Sequence, residues 1–249
     1  MLLEHPSNIL CILAHPDDEV YCCCFLHDCV ANNDRVFVAY LMDEDVEREK
    51  NTREQEARTA MRIIGIDPSH VHFLRMTKQA AFDRLEDEIE QLRNIVQTEK
   101  IDCVVGHDYE GGHEAHDIAS FCASEVVRLE RIPKHVVFPV YHGKPQGRKG
   151  ARFMEGRGPI IENVLDRTQQ QIKRRVLECH ASQKAHFDGL RQSAPDYESL
   201  LFSREVFIVQ ERPIDYAKKP SVVVGYEFHR NGFSFADFQK ALKRYRNDT

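Results

Sequence analysis

The chain has 249 residues, of which 42% are hydrophobic and 30% charged, with a formal net charge of −6. That length is enough for a sizeable buried core. The acidic balance gives no electrostatic reason to expect nucleic acid or an anionic membrane as partner.

No span is predicted, because the apolar run Ile9 to Ala14 is too short for one and ends in charge. Eight cysteines with no CxxC pair do not form a disulfide framework. They read as free thiols in a reducing cytoplasm, which makes the predicted location cytoplasmic. The adjacent Cys22, Cys23 and Cys24 read as small core filling at a helix start.

In chain order, Asn8 to Ala14 is a strand-length apolar run, followed by a helix from about residue 19 to 32. Arg35 to Met42 is strand-like, rich in β-branched and aromatic residues. Ala57, Ala60, Met61 and Ile64 recur at helical spacing and predict an amphipathic helix closed by Gly65. His70 to Leu74 reads as a strand, Leu85, Ile89, Leu92 and Val96 as a helix face, and Ile101 to Gly106 as a buried strand. A helix over about 113 to 129 precedes a strand from His135 to Val140. Lys144 to Pro159 is a Gly/Pro/Arg-rich loop, a lid, a substrate loop or a disordered tip, and its basic stretch Lys144 to Arg152 reads as solvated. Beyond it come a helix over 167–180, a strand over 205–209 and a last helix capped by Ser234, whose Phe235, Phe238, Leu242 and Tyr245 predict a packed stripe.

Strand and helix alternate with connections long enough for right-handed crossovers, which predicts an α/β fold with a mostly parallel sheet and helices on both faces. Ligands in such sheets sit beyond the carboxyl ends of the strands. The residues after Ala14, Met42 and Gly106 all lie at such ends, and those positions are where the unusual chemistry appears. His15 and Asp18 are three apart, with Asp17 and Glu19 beside them; His113 and His116 repeat that spacing within Gly106 to Asp117. Imidazole with carboxylate suits zinc or a similar divalent ion, and a catalytic zinc keeps three protein ligands and one open position. His15, Asp18 and His116 would supply the three. The plainer alternative is that Asp17 or Asp18 caps a helix.

The motif AHPDDE at Ala14 to Glu19, followed about a hundred residues later by EGGHEAHD, resembles the LmbE-like, or PIG-L, superfamily of zinc-dependent de-N-acetylases. Arg53 to Gly65 resembles that family's R-x-x-E-x-x-x-A helix, and HASQ at His180 to Gln183 is a frequent family feature. The resemblance implies a Rossmann-like fold in one domain over 1–249, with a core of about 8–183 and a C-terminal α+β extension of about 184–249. It implies His15, Asp18 and His116 as ligands of Zn²⁺ or another divalent transition metal, Asp17 as general base, and His113 as the histidine assisting at the carbonyl oxygen or leaving group. Arg53 falls where relatives often bind substrate; an ion pair with Glu56 or nearby acids on the helix surface is its other reading. The family's second motif is commonly HPDH, so Ala115 here departs from it, leaving Asp108, Glu110 or Asp117 as candidates to orient His113.

The expected reaction is removal of an N-acetyl or similar N-acyl group from an aminosugar or an aminosugar-containing small molecule. Asp17 would take a proton from metal-bound water, and protonated His113 would help hold the oxyanion. No nucleophile elbow is visible. An inactive metal-dependent sugar-binding relative is the alternative, against which Asp17 argues because it has no ligand duty. A nucleotide-binding protein is disfavoured, since AHPDDE stands where a glycine-rich phosphate loop would be.

Overall fold

The computed structural model describes residues 7–42, 47–77, 83–221, 223–228 and 233–248. Its first half alternates β1 (Asn8–Leu13), α1 (Cys23–Ala31), β2 (Arg35–Met42), α2 (Glu47–Ile64), β3 (Val71–Met76), α3 (Leu85–Glu99), β4 (Cys103–His107), α4 (Glu114–Glu130) and β5 (Lys134–Phe138). A small hairpin follows, β6 (Tyr141–His142) with β7 (Lys149–Gly150). The remainder is β8 (Ile161–Val164), α5 (Arg167–Cys179), α6 (Lys184–Ser193), α7 (Tyr197–Ser203), β9 (Arg204–Val209) and α8 (Phe235–Asp248). No helix among the described residues is long and apolar enough to cross a membrane.

The main sheet has seven strands in the order β3-β2-β1-β4-β5-β9-β8. β1 to β5 are parallel, and β9 and β8 complete one edge antiparallel. The parallel α/β architecture read from the alternation is therefore present. Two apolar clusters cover its two faces. One packs α1 and α2 with Val38, Val105 and Phe207; the other packs α3 and α4 with Leu10, Phe37 and Val104. Residues beyond 184 enter both, Leu190 and Leu201 in the first and Phe238 and Leu242 in the second.

Local chemistry explains most boundaries. Ala57, Ala60, Met61 and Ile64 of α2 are buried, and Gly65 at φ +92° ends the helix as only glycine does readily. Ser234 caps α8 through its hydroxyl to the Asp237 N–H, and Asp237 returns a bond to the Ser234 N–H. Phe238, Leu242 and Tyr245 are buried as the predicted stripe. Three expectations shift. The helix expected from residue 19 begins instead as a 3₁₀ turn over Asp18–Tyr21, with α1 starting at Cys23. His70 belongs to a 3₁₀ turn before β3. The strand expected over 135–140 stops at Phe138, before Pro139. The stretch after Met42, residues 43–46, lies outside the described residues.

The cysteine trio is fully buried, as its reading as core filling requires. Beside it Glu205 accepts hydrogen bonds from the N–H groups of Cys24 (2.9 Å) and Phe25 (2.8 Å) at the start of α1, and Lys173 lies 2.9 Å from the same carboxylate. Cys23, Cys24 and Glu205 are close enough to suggest a metal site. Yet the carboxylate is already matched by an ammonium and two amides, and hydrogen bonding with the Cys23 thiol, followed by burial, holds the Cys24 thiol protonated. The cluster is a helix anchor. Glu205→Ala would leave Lys173 as an unpaired buried cation, so chemical denaturation should show a loss of about 3–5 kcal/mol; a change below about 1 kcal/mol would remove the pair from the core's stability.

Candidate active site

The strand order turns back at β1, which has β2 on one side and β4 on the other. A crevice at their carboxyl ends is the place where such sheets bind ligands. His15 to Asp18 leave β1 there, and His107 to His116 leave β4 there.

The two segments converge. One ligand atom each from His15, Asp18 and His116 lie within 4.8 Å of one another. Nδ1 of His15 is 3.6 Å and Nε2 of His116 3.3 Å from the Asp18 carboxylate. The turn is set by Asp18 itself, which accepts the His15 N–H at 2.7 Å. Burial alone would raise the Asp18 carboxyl. The imidazoles beside it, His116 foremost, outweigh burial and hold it well below the usual range. Burial depresses His15, favouring the neutral imidazole that can coordinate. Two imidazole nitrogens and one carboxylate with a partly open face form a donor set that fits a catalytic zinc or a similar divalent ion.

Asp17 is held apart from that set. Its φ of 121° is in the left-handed region, rare for a residue with a side chain, and such strain persists only where neighbours enforce it. They are visible. The Asp17 N–H donates to Glu19 (3.0 Å), and Nη2 of Arg53 donates to the Pro16 carbonyl (2.6 Å) and the Asp17 carboxylate (3.0 Å). Burial pushes the Asp17 carboxyl up to about 7 against the opposing pull of Arg53. Arg53 thus forms its ion pair with Asp17 inside the protein. Glu56, the surface partner considered for it, instead accepts from the Ser182 N–H and hydroxyl.

His113 is the N-cap of α4, and its Nδ1 accepts the Ala115 N–H at 3.1 Å. A nitrogen that accepts carries no proton, so the ring proton sits on Nε2. The bond that orients this ring therefore comes from the backbone of Ala115, the residue that replaces the family's aspartate. Asp108, Glu110 and Asp117 brace the loop before it. Asp108 pairs with Arg157, Glu110 accepts from the N–H groups of Val140 (2.8 Å) and Tyr141 (2.9 Å), and Asp117 accepts from Gly111 (3.0 Å). Gly112 is required in that loop, because a Cβ there would overlap the Tyr141 carbonyl oxygen.

Four further side chains border the site, and of these the sequence had pointed only to His180, through HASQ. His107 is fully buried, stacks on His116 at 4.6 Å, and lies 3.4 Å from Asp18, but its Nε2 accepts the Ala14 N–H at 3.0 Å and so has no lone pair for a metal. Its position directly before Asp108 at a strand end was its only signal. His180 of HASQ bonds Glu19 at 2.7 Å; burial would lower its pKa, but Glu19 reverses the shift upward. The pair anchors the carboxylate that holds the Asp17 N–H. Tyr141 sets its ring edge to His116 at 5.4 Å and carries the Arg148 guanidinium 4.8 Å above it, so the stretch read as solvated reaches the rim of the site. His186, in α6, lies with its ring centroid 6.1 Å from that of Tyr141.

Comparison with known proteins adds to this geometry. Residues 10–127 match the model of the GlcNAc-PI de-N-acetylase family, PIG-L. No curated protein matches the chain in sequence. Among solved structures, the zinc-inhibited form of teicoplanin deacetylase Orf2 is similar with a TM-score of 0.62 and 14% identity, over 82% of this chain and 99% of that one. N,N′-diacetylchitobiose deacetylase from Pyrococcus horikoshii is similar with a TM-score of 0.58 and 17% identity, over 92% and 88%. The 4-carboxy-2-hydroxymuconate hydratase GalB from Pseudomonas putida is similar with a TM-score of 0.55 and 15% identity, over 84% and 98%. At these identities the structural likeness shows the fold, which serves enzymes of both names. The family match is a separate finding, and it spans both segments that build the crevice. Over residues 10–127, then, the chain is similar to the PIG-L family of GlcNAc-PI de-N-acetylases.

Proposed function

We propose that the protein is a metal-dependent N-deacetylase that hydrolyses the N-acetyl, or a similar N-acyl, group of an aminosugar or aminosugar conjugate. The observation that carries this reading is the convergence of His15, Asp18 and His116 with a separately held carboxylate, Asp17, beside them. His15, Asp18 and His116 would hold a divalent ion, zinc or a similar transition metal. Such an ion supplies a Lewis acid for the amide carbonyl and acidifies water at neutral pH.

The chain's own residues do the rest. Asp17 accepts the proton of the attacking water and later delivers it to the departing amine. Arg53 holds the Asp17 carboxylate in place, and we assign it that positioning role ahead of direct substrate contact. His113 donates its Nε2–H to the developing oxyanion. This differs from the protonated imidazole expected at first: with Nδ1 accepting from Ala115, the ring donates as a neutral group. Tyr141, Arg148 and His186 form the rim that a sugar or its substituent would meet.

Release of acetate from a panel of N-acetylhexosamine conjugates, measured together with metal content, tests the reading. A metal-loaded protein that releases no acid from the panel but hydrates an unsaturated acid would favour the hydratase chemistry named for one of the similar structures. A separate prediction concerns His113. His113→Ala should keep its metal while kcat falls about 10²-fold or more, the scale of a lost oxyanion donor. Unchanged turnover would reduce His113 to a helix cap.

A further inference from the structure

The opposite end of the sheet holds a cleft that amide hydrolysis does not use. Its volume is about 620 Å³, and it lies between α4, the chain leaving β9, and the end of α8. His135, the second residue of β5, lines it, whereas His15 and His116 follow the carboxyl ends of β1 and β4. The register agrees: β9 runs antiparallel to β5, so Gln210, just past its end, donates its N–H to the His135 carbonyl at 2.8 Å.

The inner wall is apolar and aromatic, with Phe121, Ile132 and Tyr216 buried. Tyr216 is fixed there through its hydroxyl, which meets Ser124 at 2.7 Å and the Ser120 carbonyl at 2.8 Å. Three arginines stand at the mouth. Arg128 is matched by Glu125. The guanidinium groups of Arg212 and Arg246, both exposed residues, make no hydrogen bond or ion pair among the described residues; Arg246 feels Glu125 and Asp215 only at longer range. Glu211 is the remaining acid in the lining.

His135 gives an independent indication. It is 5% exposed, and its Nε2 is buried with no hydrogen-bond partner. Buried polar atoms are nearly always satisfied, by protein, water or ligand. Burial lowers this imidazole to about 4, so at neutral pH it is uncharged and can bond a polar atom of a ligand without adding charge.

We propose that this cleft is a binding site for a small aromatic anion. Arg212 and Arg246 meet the acidic group at the mouth, Phe121 and Tyr216 take the flat apolar body, and Nε2 of His135 bonds a polar atom on it. The volume is in the range of small-molecule sites, about 300–1,000 Å³. The two arginines act as charge-assisted donors, which planar guanidinium groups suit for carboxylate and phosphate alike.

The test uses the full chain and 8-anilinonaphthalene-1-sulfonate, an anionic aromatic probe read by fluorescence. The expected result is saturable binding of about one probe per chain, weakened by salt. Arg212→Gln with Arg246→Gln should weaken it about tenfold or more, with thermal stability and metal content unchanged. His135→Phe, read the same way, should also weaken it, provided its thermal transition matches the parent's. Uncharged N-phenyl-1-naphthylamine should bind less well. Displacement of the sulfonate by benzoate assigns a carboxylate ligand, and displacement by adenosine monophosphate a phosphate ligand. No binding by the parent protein, equal binding by the double variant or the uncharged probe, or displacement by neither competitor overturns the proposal.

Discussion

Asp17→Asn is expected to keep its metal and its affinity for substrate while kcat falls about 10²- to 10⁴-fold, the usual worth of a positioned general base. The substitution isolates proton acceptance because so little else changes. Asparagine retains an oxygen for the Arg53 guanidinium that now meets Asp17 Oδ1 at 3.0 Å. It also tolerates a positive φ better than most side chains, so the backbone at 121° can persist. The N–H to Glu19 and the carbonyl of Pro16 to Arg53 are untouched. What is lost is a basic carboxylate at neutral pH. Metal content, substrate binding and kcat on one preparation decide the matter. Loss of metal would make Asp17 a ligand, and an intact kcat would remove it from the mechanism.

The arrangement that makes this substitution clean was only partly legible in the sequence. AHPDDE showed carboxylates gathered at a strand end, and hydrophobic periodicity placed that strand in a parallel sheet. β2 matches its expected bounds, Arg35 to Met42, because its apolar run is continuous and has the length of a strand. By contrast β8, with Ile161 and Glu162 exposed, has neither an alternating pattern nor a buried run to announce it; it exists because β9 offers it a partner. The same is true of β6 and β7, two residues each.

The site follows the same division. Spacing of three within each cluster signalled which side chains share a turn, but the meeting of His15 with His116 depends on the pairing of β1 with β4. No local pattern encodes that pairing. Arg53 shows the limit clearly. From the sequence its partner is substrate, or Glu56 or a nearby acid on the helix surface; the Asp17 contact depends on α2 packing across the end of β1, a tertiary fact. The His113 bond is subtler still. Comparison with a family motif directed attention to a missing carboxylate, while the structure uses a backbone N–H, which every residue but proline carries and no alignment of side chains displays.

Removal of any one candidate ligand should have the largest effect of all. His15→Ala, Asp18→Ala and His116→Ala are each expected to lose bound metal on dialysis that leaves the parent loaded, and to lose turnover with it. The reason is numerical. A catalytic zinc is held by three protein ligands, so each variant keeps two, and affinity should fall by more than the about 10- to 100-fold that follows loss of an outer-shell partner. Asp18 carries a further burden, since its carboxylate also fixes the His15 N–H at 2.7 Å and lies 3.3 Å from His116. Its replacement should therefore disturb both other ligands. His113→Ala is the matched control: its ring centroid is only 5.1 Å from those of His15 and His116, yet its Nδ1 already accepts a backbone N–H. Elemental analysis separates the four variants, and thermal unfolding supplies a second readout. Added zinc should raise the melting temperature of metal-free parent and His113→Ala by mass action and leave the other three nearly unmoved. Parent-like metal content in all three ligand variants would disprove the assignment of the site, whatever their activity.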